Sequence, residues 1–187
     1  MTRAAGAVLA GGESRRMGRD KALIEIGGRP LLQVATDALA AAGLDPIVVV
    51  GGDASAIGAL GHDHVADRHP GEGPLGGIIS ALAAVPNDTL VVLSCDLTDA
   101  SPIAVSSVIG ALGDADVAVP VVDGREQWMH SAWRRRSLSL LEAAFAAGHR
   151  SVAAGAEGLR VSRILDGDPC WYHDADTPDD LPPTALR

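Results

Sequence analysis

Short runs of consecutive apolar, β-branched residues alternate along this chain with longer alanine-rich stretches of amphipathic character. Ala4 to Ala10, Ile47 to Val50, Thr89 to Leu93, Val117 to Val122 and Val161 to Leu165 predict strands. The segments around Leu31 to Ala42, Leu75 to Val85, Pro102 to Leu112 and Leu138 to Ala147 predict helices. Pro30, Pro46, Pro86 and Pro102 punctuate the boundaries, and Pro102 after Ser101 suits a first helical turn. Strand–helix alternation implies βαβ units, so the fold class is α/β with a mostly parallel sheet covered on both faces. Gln127 to Arg134 predicts one additional, antiparallel strand, and the stretch from Pro178 onward reads as a short terminal helix or tail.

Composition narrows this picture. At 187 residues the simplest organisation is one domain, 1–187, with a substantial core. Apolar residues make up 47% but only five are aromatic, which suits helices packed close to a sheet through small side chains. Two cysteines, Cys95 and Cys170, give no disulfide framework, so a reducing cytoplasm is expected. The N-terminal residues lack the tripartite order of a signal peptide, and no apolar run approaches the roughly 20 residues of a membrane span. The net charge of −9 argues against nucleic-acid binding, which needs a broad basic face. A small anionic ligand stays compatible, because basic residues crowd locally at Arg15 to Lys21 and at Arg134 to Arg136.

In sheets of this kind ligands gather at the carboxyl ends of strands, and the polar constellations fall there. After the first strand comes Leu9 to Lys21, LAGGESRRMGRDK, with a glycine pair, three arginines and a lysine. Its glycines allow close backbone approach to phosphate, and its cations add charge. The alternative is a solvated basic loop. The Walker and dinucleotide glycine spacings are both absent, so neither a P-loop NTPase nor an NAD enzyme is supported. Asp67 to Gly77 is a glycine-rich turn into a helix whose first N–H groups would be available to a ligand, or else an ordinary connection. Ser94-Cys95-Asp96 ends the most apolar strand. Asp96 there is placed to hold Mg²⁺ against a triphosphate, with Asp99 and Ser101 the better caps for the next helix. His62-Asp63-His64 reads as a transition-metal pair or a strand edge, and Trp128 as a stacking surface or as packing. Arg134 to Arg136 reads as a contact to a second phosphorylated substrate or a solvated helix start.

The loop after the first strand closely resembles the signature of the molybdenum cofactor guanylyltransferases, Leu-Ala-Gly-Gly-x-Ser-x-Arg-Met-Gly-x-Asp-Lys. Leu9, Ala10, Gly11, Gly12, Ser14, Arg16, Met17, Gly18, Asp20 and Lys21 stand where that pattern asks. The Asp67 to Gly77 turn, with its Gly-Pro-Leu-x-Gly, and the closing segment His173 to Leu181 extend the resemblance over nearly the whole chain. The chain departs from the family at Asp174 and Asp176, where asparagines are usual, and at Gly51-Gly52, where an asparagine is often found.

The resemblance implies a Rossmann-like three-layer nucleotidyltransferase fold and transfer of GMP from GTP to the phosphate of molybdenum-molybdopterin, with Mg²⁺. It assigns nucleotide binding to Leu9, Ala10, Gly11, Gly12, Lys21, Asp67 and Asp96, with Asp67 on the guanine and Asp96 on the metal. Arg15, Lys21 and Asp96 are the expected catalytic residues. Cofactor-handling or molybdoenzyme maturation proteins are the expected partners, with neither nucleic acid nor membrane. A related nucleotidyltransferase using CTP or another phosphorylated acceptor is the nearest alternative, mildly favoured by Asp174 and Asp176. A non-catalytic nucleotide-binding protein is the alternative from another class.

Overall fold

The computed structural model describes residues 4–11, 21–165 and 167–175; for Lys21 this covers the backbone only. The first apolar run becomes β1 (Ala5–Leu9), buried at every position. In chain order follow β2 (Glu25–Ile26), β3 (Arg29–Pro30), α1 (Leu31–Ala41), β4 (Ile47–Val50), α2 (Ala54–Ala59), β5 (Asp63–Val65), α3 (Pro74–Ala84) and β6 (Thr89–Ser94). Then come α4 (Pro102–Leu112), β7 (Val117–Val122), β8 (Arg125–Glu126), β9 (His130–Arg134), α5 (Leu138–Ala146), α6 (Val152–Gly155) and β10 (Val161–Ile164). Among the described residues no helix is long and apolar enough to cross a membrane.

The main sheet runs β10-β7-β9-β6-β1-β4-β5, with β8 folded onto β7. β1 pairs in parallel with β4 and β6, β4 with β5, and β7 with β10. Only β9, the expected extra strand, lies antiparallel within this path, between β6 and β7. Alternation along β1 sends Ala5, Ala7 and Leu9 to one core with Leu75, Ile79, Leu141 and Phe145, and Val8 and Ala10 to another with Leu32, Leu39, Val105 and Val108. The sheet is therefore sandwiched between α3 and α5 on one face and α1 and α4 on the other, the three-layer arrangement the resemblance implies.

Small residues set how closely these layers meet. α3 is buried all round from Leu75 to Leu82, so it has no polar face to turn to water. A Cβ at Gly76 would stand 2.7 Å from the Cβ of His69, and one at Gly77 would stand 3.0 Å from Cδ1 of Leu9. Only glycine lets the helix seat against both β1 and the turn that precedes it.

Arg134, Arg135 and Arg136 lie at the opposite end of the sheet from the carboxyl ends of β1, β4 and β6, because β9 runs the other way. Arg134 donates to Thr89 Oγ1 (3.0 Å) and Gly113 O (2.7 Å), and Arg135 to Leu82 O (3.0 Å) and Val85 O. Arg136 bonds Asp116 (2.7 Å), which Arg160 also contacts at 3.2 Å. Hydrogen bonds from Arg160, then Arg136, hold the Asp116 carboxyl well below the usual carboxylate range. The expectation that these arginines approach a second phosphorylated substrate is thus corrected, as is that of a merely solvated helix start: they clamp the base of the sheet.

Candidate active site

Two neighbouring cavities open at the carboxyl ends of the parallel strands. The first, of 370 Å³, is lined by Leu9, Gly11, Val50, Asp67, Gly73 and Ser94 among others. β1 and β4 reach it together because Ala10 N–H donates to Val50 O (2.9 Å) and Gly51 turns at φ 76°. A Cβ at Gly51 would sit 3.1 Å from Gly11 Cα, so the two backbones come as close as glycine permits.

Asp67 is the organised charge of this cavity. Its Oδ1 accepts from the Ser80 hydroxyl (2.9 Å) and from His69 N–H (2.9 Å). Its Oδ2 faces Gly11, where a Cβ would stand 3.7 Å away. Ser80 itself is buried on α3, receives Arg68 N–H at 2.9 Å, and has Gly76 O at 2.9 Å as a second acceptor for its hydroxyl. Sequence reasoning singles out Asp67 and misses Ser80; the one signal was a lone hydroxyl in the otherwise apolar run PLGGIISALAA.

The start of α3 is not the open anion site expected of it. Pro74 has no N–H, Leu75 N–H donates to Arg150 O (3.3 Å), and Gly76 N–H donates to Gly73 O (3.2 Å). The turn instead supplies a rigid wall, with Gly73 at φ 96° pressed against Arg150. A cation does stand at this rim: Arg150 pairs with Glu72 at 2.9 Å and lies 3.9 Å over the Phe145 ring.

Asp96 sits half-buried just past β6, between Ser94 of the first cavity and Leu97 of the second. The Ser94 hydroxyl donates to Asp96 Oδ1. The C-terminal stretch docks directly alongside: Ala175 N–H donates to Asp96 O (2.8 Å), Thr98 N–H to His173 O (3.1 Å), and Leu97 bridges Asp174. This brings the exposed Asp174 next to the Asp96 turn. Among the described residues no group of three or more His, Cys, Asp and Glu gathers. One or two carboxylates completed by phosphate oxygens and water is a donor set that fits Mg²⁺, a hard ion rarely caged by protein alone. Ser101, as expected, caps α4 through Ile103 N–H at 3.2 Å.

The second cavity, of 310 Å³, is bounded by Leu97, Glu126, Trp128, His130, Val152, Tyr172 and their neighbours, and shares Pro74 and Met129 with the first. His130 is buried and stands edge-on to Tyr172 at 4.8 Å. Neither of its ring nitrogens has a hydrogen-bond partner among the described residues. Burial lowers its pKa to about 4, so it is neutral at physiological pH. Burial, and then the Asp168 carboxylate, raise the Tyr172 phenol, which likewise stays neutral.

Of the expected site residues, Leu9, Gly11, Asp67 and the Asp96 turn converge on one crevice, with Ala10 continuing β1 into it. Gly12 and Arg15 lie outside the described residues, as do Ser14, Arg16, Arg19, Asp20 and Asp176, and of Lys21 only the backbone is described, in a 3₁₀ turn Lys21–Leu23. His64 lies in the edge strand β5 and His62 just before it, with the His62 ring engaged with Gln33 Oε1 at 3.1 Å. Trp128 lines the second cavity, braced by Trp133 at 6.0 Å.

Residues 6–161 match the sequence pattern of the family described as MobA-like NTP transferase domain. A probable molybdenum cofactor guanylyltransferase of Methanothermobacter thermautotrophicus is 32% identical over 188 residues, covering 94% of this chain and 95% of the relative. The molybdenum cofactor guanylyltransferase of Rhodobacter capsulatus is 34% identical over 185 residues, covering 96% and 93%. The crystal structure of molybdopterin-guanine dinucleotide biosynthesis protein A from Archaeoglobus fulgidus superposes with a TM-score of 0.78 at 24% identity, covering 95% of this chain and 94% of that one, a likeness of fold.

Proposed function

This chain belongs to the MobA-like NTP transferase family, hence is a nucleotidyltransferase, and from that premise we propose that it transfers GMP from GTP to the phosphate of molybdenum-molybdopterin. The observation that carries the choice of guanine is the Asp67 carboxylate, with Oδ1 held by Ser80 and Oδ2 turned toward Gly11. That oxygen is disposed to accept from the ring N–H and exocyclic amine of guanine, donors that adenine does not present together.

A phosphate oxygen of the acceptor forms a bond to the α-phosphorus of GTP while the bond to the β-phosphate oxygen breaks, and pyrophosphate departs with the electron pair. No protein nucleophile is needed; alignment and charge neutralisation suffice. The backbone from Leu9 to Gly11 frames base and ribose. Arg15 and Lys21 hold the triphosphate, with Lys21 nearest the developing charge. Asp96, steadied by Ser94, is the ligand for Mg²⁺, with Asp174 adjacent. When bound, that ion screens the phosphate oxygens and the leaving pyrophosphate.

The test is pyrophosphate release with Mg²⁺ and molybdenum-loaded molybdopterin, comparing GTP, CTP, ATP and UTP. Release confined to GTP supports the proposal. Release with CTP instead assigns the chain to cytidylyl transfer, the reading that Asp174 favours in place of the usual asparagine.

A further inference from the structure

Gly71, Gly73 and Pro74 wall the nucleotide cavity, yet the turn that carries them has little means of holding itself. Four of the nine residues from His69 to Gly77 are glycine, and Gly71 and Gly73 sit at φ 78° and 96°. Glycine gives the backbone its greatest freedom, so the rigidity of this wall has to come from a neighbouring element. Asp67 depends on that rigidity directly, because its Oδ1 accepts the His69 N–H at 2.9 Å.

Arg150, on the connection between α5 and α6, meets the turn at three points. Its guanidinium pairs with Glu72 at 2.9 Å. Its carbonyl oxygen would stand 3.0 Å from a Cβ at Gly73, and that same oxygen accepts Leu75 N–H at 3.3 Å. The guanidinium is itself placed by the end of α5: it donates to Phe145 O (2.8 Å) and His149 O (3.0 Å) and lies 3.9 Å over the Phe145 ring. The His69 ring lies 4.1 Å from that same phenyl ring. The connection is anchored in turn, with Gly148 N–H donating to Phe145 O (3.0 Å) and Ser151 Oγ accepting Ala154 N–H (3.3 Å) at the start of α6. Glu72 and Arg150 are 47% and 42% exposed, and an isolated ion pair of that kind contributes little. Here the guanidinium adds a ring contact and two carbonyls at a helix end, so it is a fixed strut and not a loose surface charge.

Resting on the function proposed above, we propose that Arg150 is a positioning residue for base recognition: it braces the Asp67 to Pro74 turn from outside the pocket, and so sets how well Asp67 separates guanine from other purines. Arg150 does not line the cavity and acts through the turn.

Hypoxanthine keeps the ring N–H of guanine and lacks its exocyclic amine, so inosine triphosphate reports on one of the two bonds to Asp67. A single bond to a charged acceptor is expected to give the wild-type chain a roughly tenfold or greater preference for GTP over inosine triphosphate in calorimetric titration. Arg150→Met keeps an apolar stem and the backbone carbonyl. In that variant the preference should shrink to roughly threefold or less through weaker GTP binding, with kcat for pyrophosphate release within about twofold of wild type. Arg150→Lys, which restores charge opposite Glu72, should recover part of the preference. Glu72→Gln should narrow it in the same direction, and it serves also if Arg150→Met does not fold. A wild-type preference in both Arg150→Met and Glu72→Gln overturns the inference. Equal weakening of both nucleotides, the result of a merely structural role, does so too. No such preference in the wild-type chain removes the Asp67 reading and the inference with it. Absence of turnover by the wild-type chain with every nucleotide counts against the proposed function instead, and the titrations, which need no turnover, still decide the role of Arg150.

Discussion

At Asp67 the two carboxylate oxygens have separate work: one is tied to Ser80 and His69 N–H, the other is left to the crevice. Asp67→Ala removes at least one charge-assisted hydrogen bond worth about 1.5–3 kcal/mol, so kcat/KM for GTP should fall by roughly 10- to 100-fold or more while that for ATP barely moves. Intact GTP preference in this variant would sink the assignment. Ser80→Ala loosens the carboxylate without removing it. A loss of about 1 kcal/mol, near fivefold in GTP KM at unchanged kcat, is expected in steady-state assays. On the proposed mechanism Lys21→Ala should act in the opposite sense, depressing kcat more than it raises the GTP KM, since a lysine charge holding the triphosphate matters most as pyrophosphate leaves. Asp96 was legible in the sequence because it closes an apolar strand, and Asp67 because it opens a glycine-rich turn into a helix. Ser80 was not, because its role depends on a helix folding back thirteen residues later onto the same carboxylate.

The long elements were legible for a plain reason: β4 (Ile47–Val50), β7 (Val117–Val122) and α4 (Pro102–Leu112) are each a full period or more of unbroken pattern between turn residues. The six residues of α2 and the two-residue strands β2, β3 and β8 are too short to display a period. The turn before β8 carried its own signal, since Asp123-Gly124 joins Val122 to its partner Arg125 with φ 49° and 76°, the left-handed pair a tight hairpin requires. The place of β9 between β6 and β7 is written in no local residue; it follows from long-range pairing, and with it goes the site of Trp128. Helix α3 provides the test at this scale. Gly76→Ala forces a Cβ within 2.7 Å of His69 and should cost about 2 kcal/mol, a fall in Tm of roughly 4–8 °C by calorimetry. Gly110→Ala in α4 meets nothing within 4 Å and should stabilise the chain by about 0.5–1 kcal/mol.

For the molecule as a whole, acidity is expected to act through His130. Its folded pKa of about 4 lies below the ordinary 6.5, so the folded chain binds this proton more weakly than the unfolded one. The linked stability is fully present above about pH 6.5 and is lost as pH falls toward 4, by roughly 2–3 kcal/mol near pH 4.5. Unfolding free energies from urea titrations near pH 7.5 and pH 4.5 should differ by about that amount less in His130→Phe than in the wild-type chain; equal differences would remove His130 as the cause. With a net charge of −9, the proposed mechanism leaves the attraction of two polyanions to local cations and bound Mg²⁺, so substrate capture should weaken with ionic strength. The common wall of Pro74 and Met129 has a further consequence for the end of the catalytic cycle. If each cavity holds one half of the joined dinucleotide, the product is a bivalent ligand whose halves keep each other at millimolar effective concentration. It should dissociate more slowly than either substrate, giving a pyrophosphate burst of one equivalent before the steady state, and making hand-over of the finished cofactor, not its synthesis, the step that sets the pace.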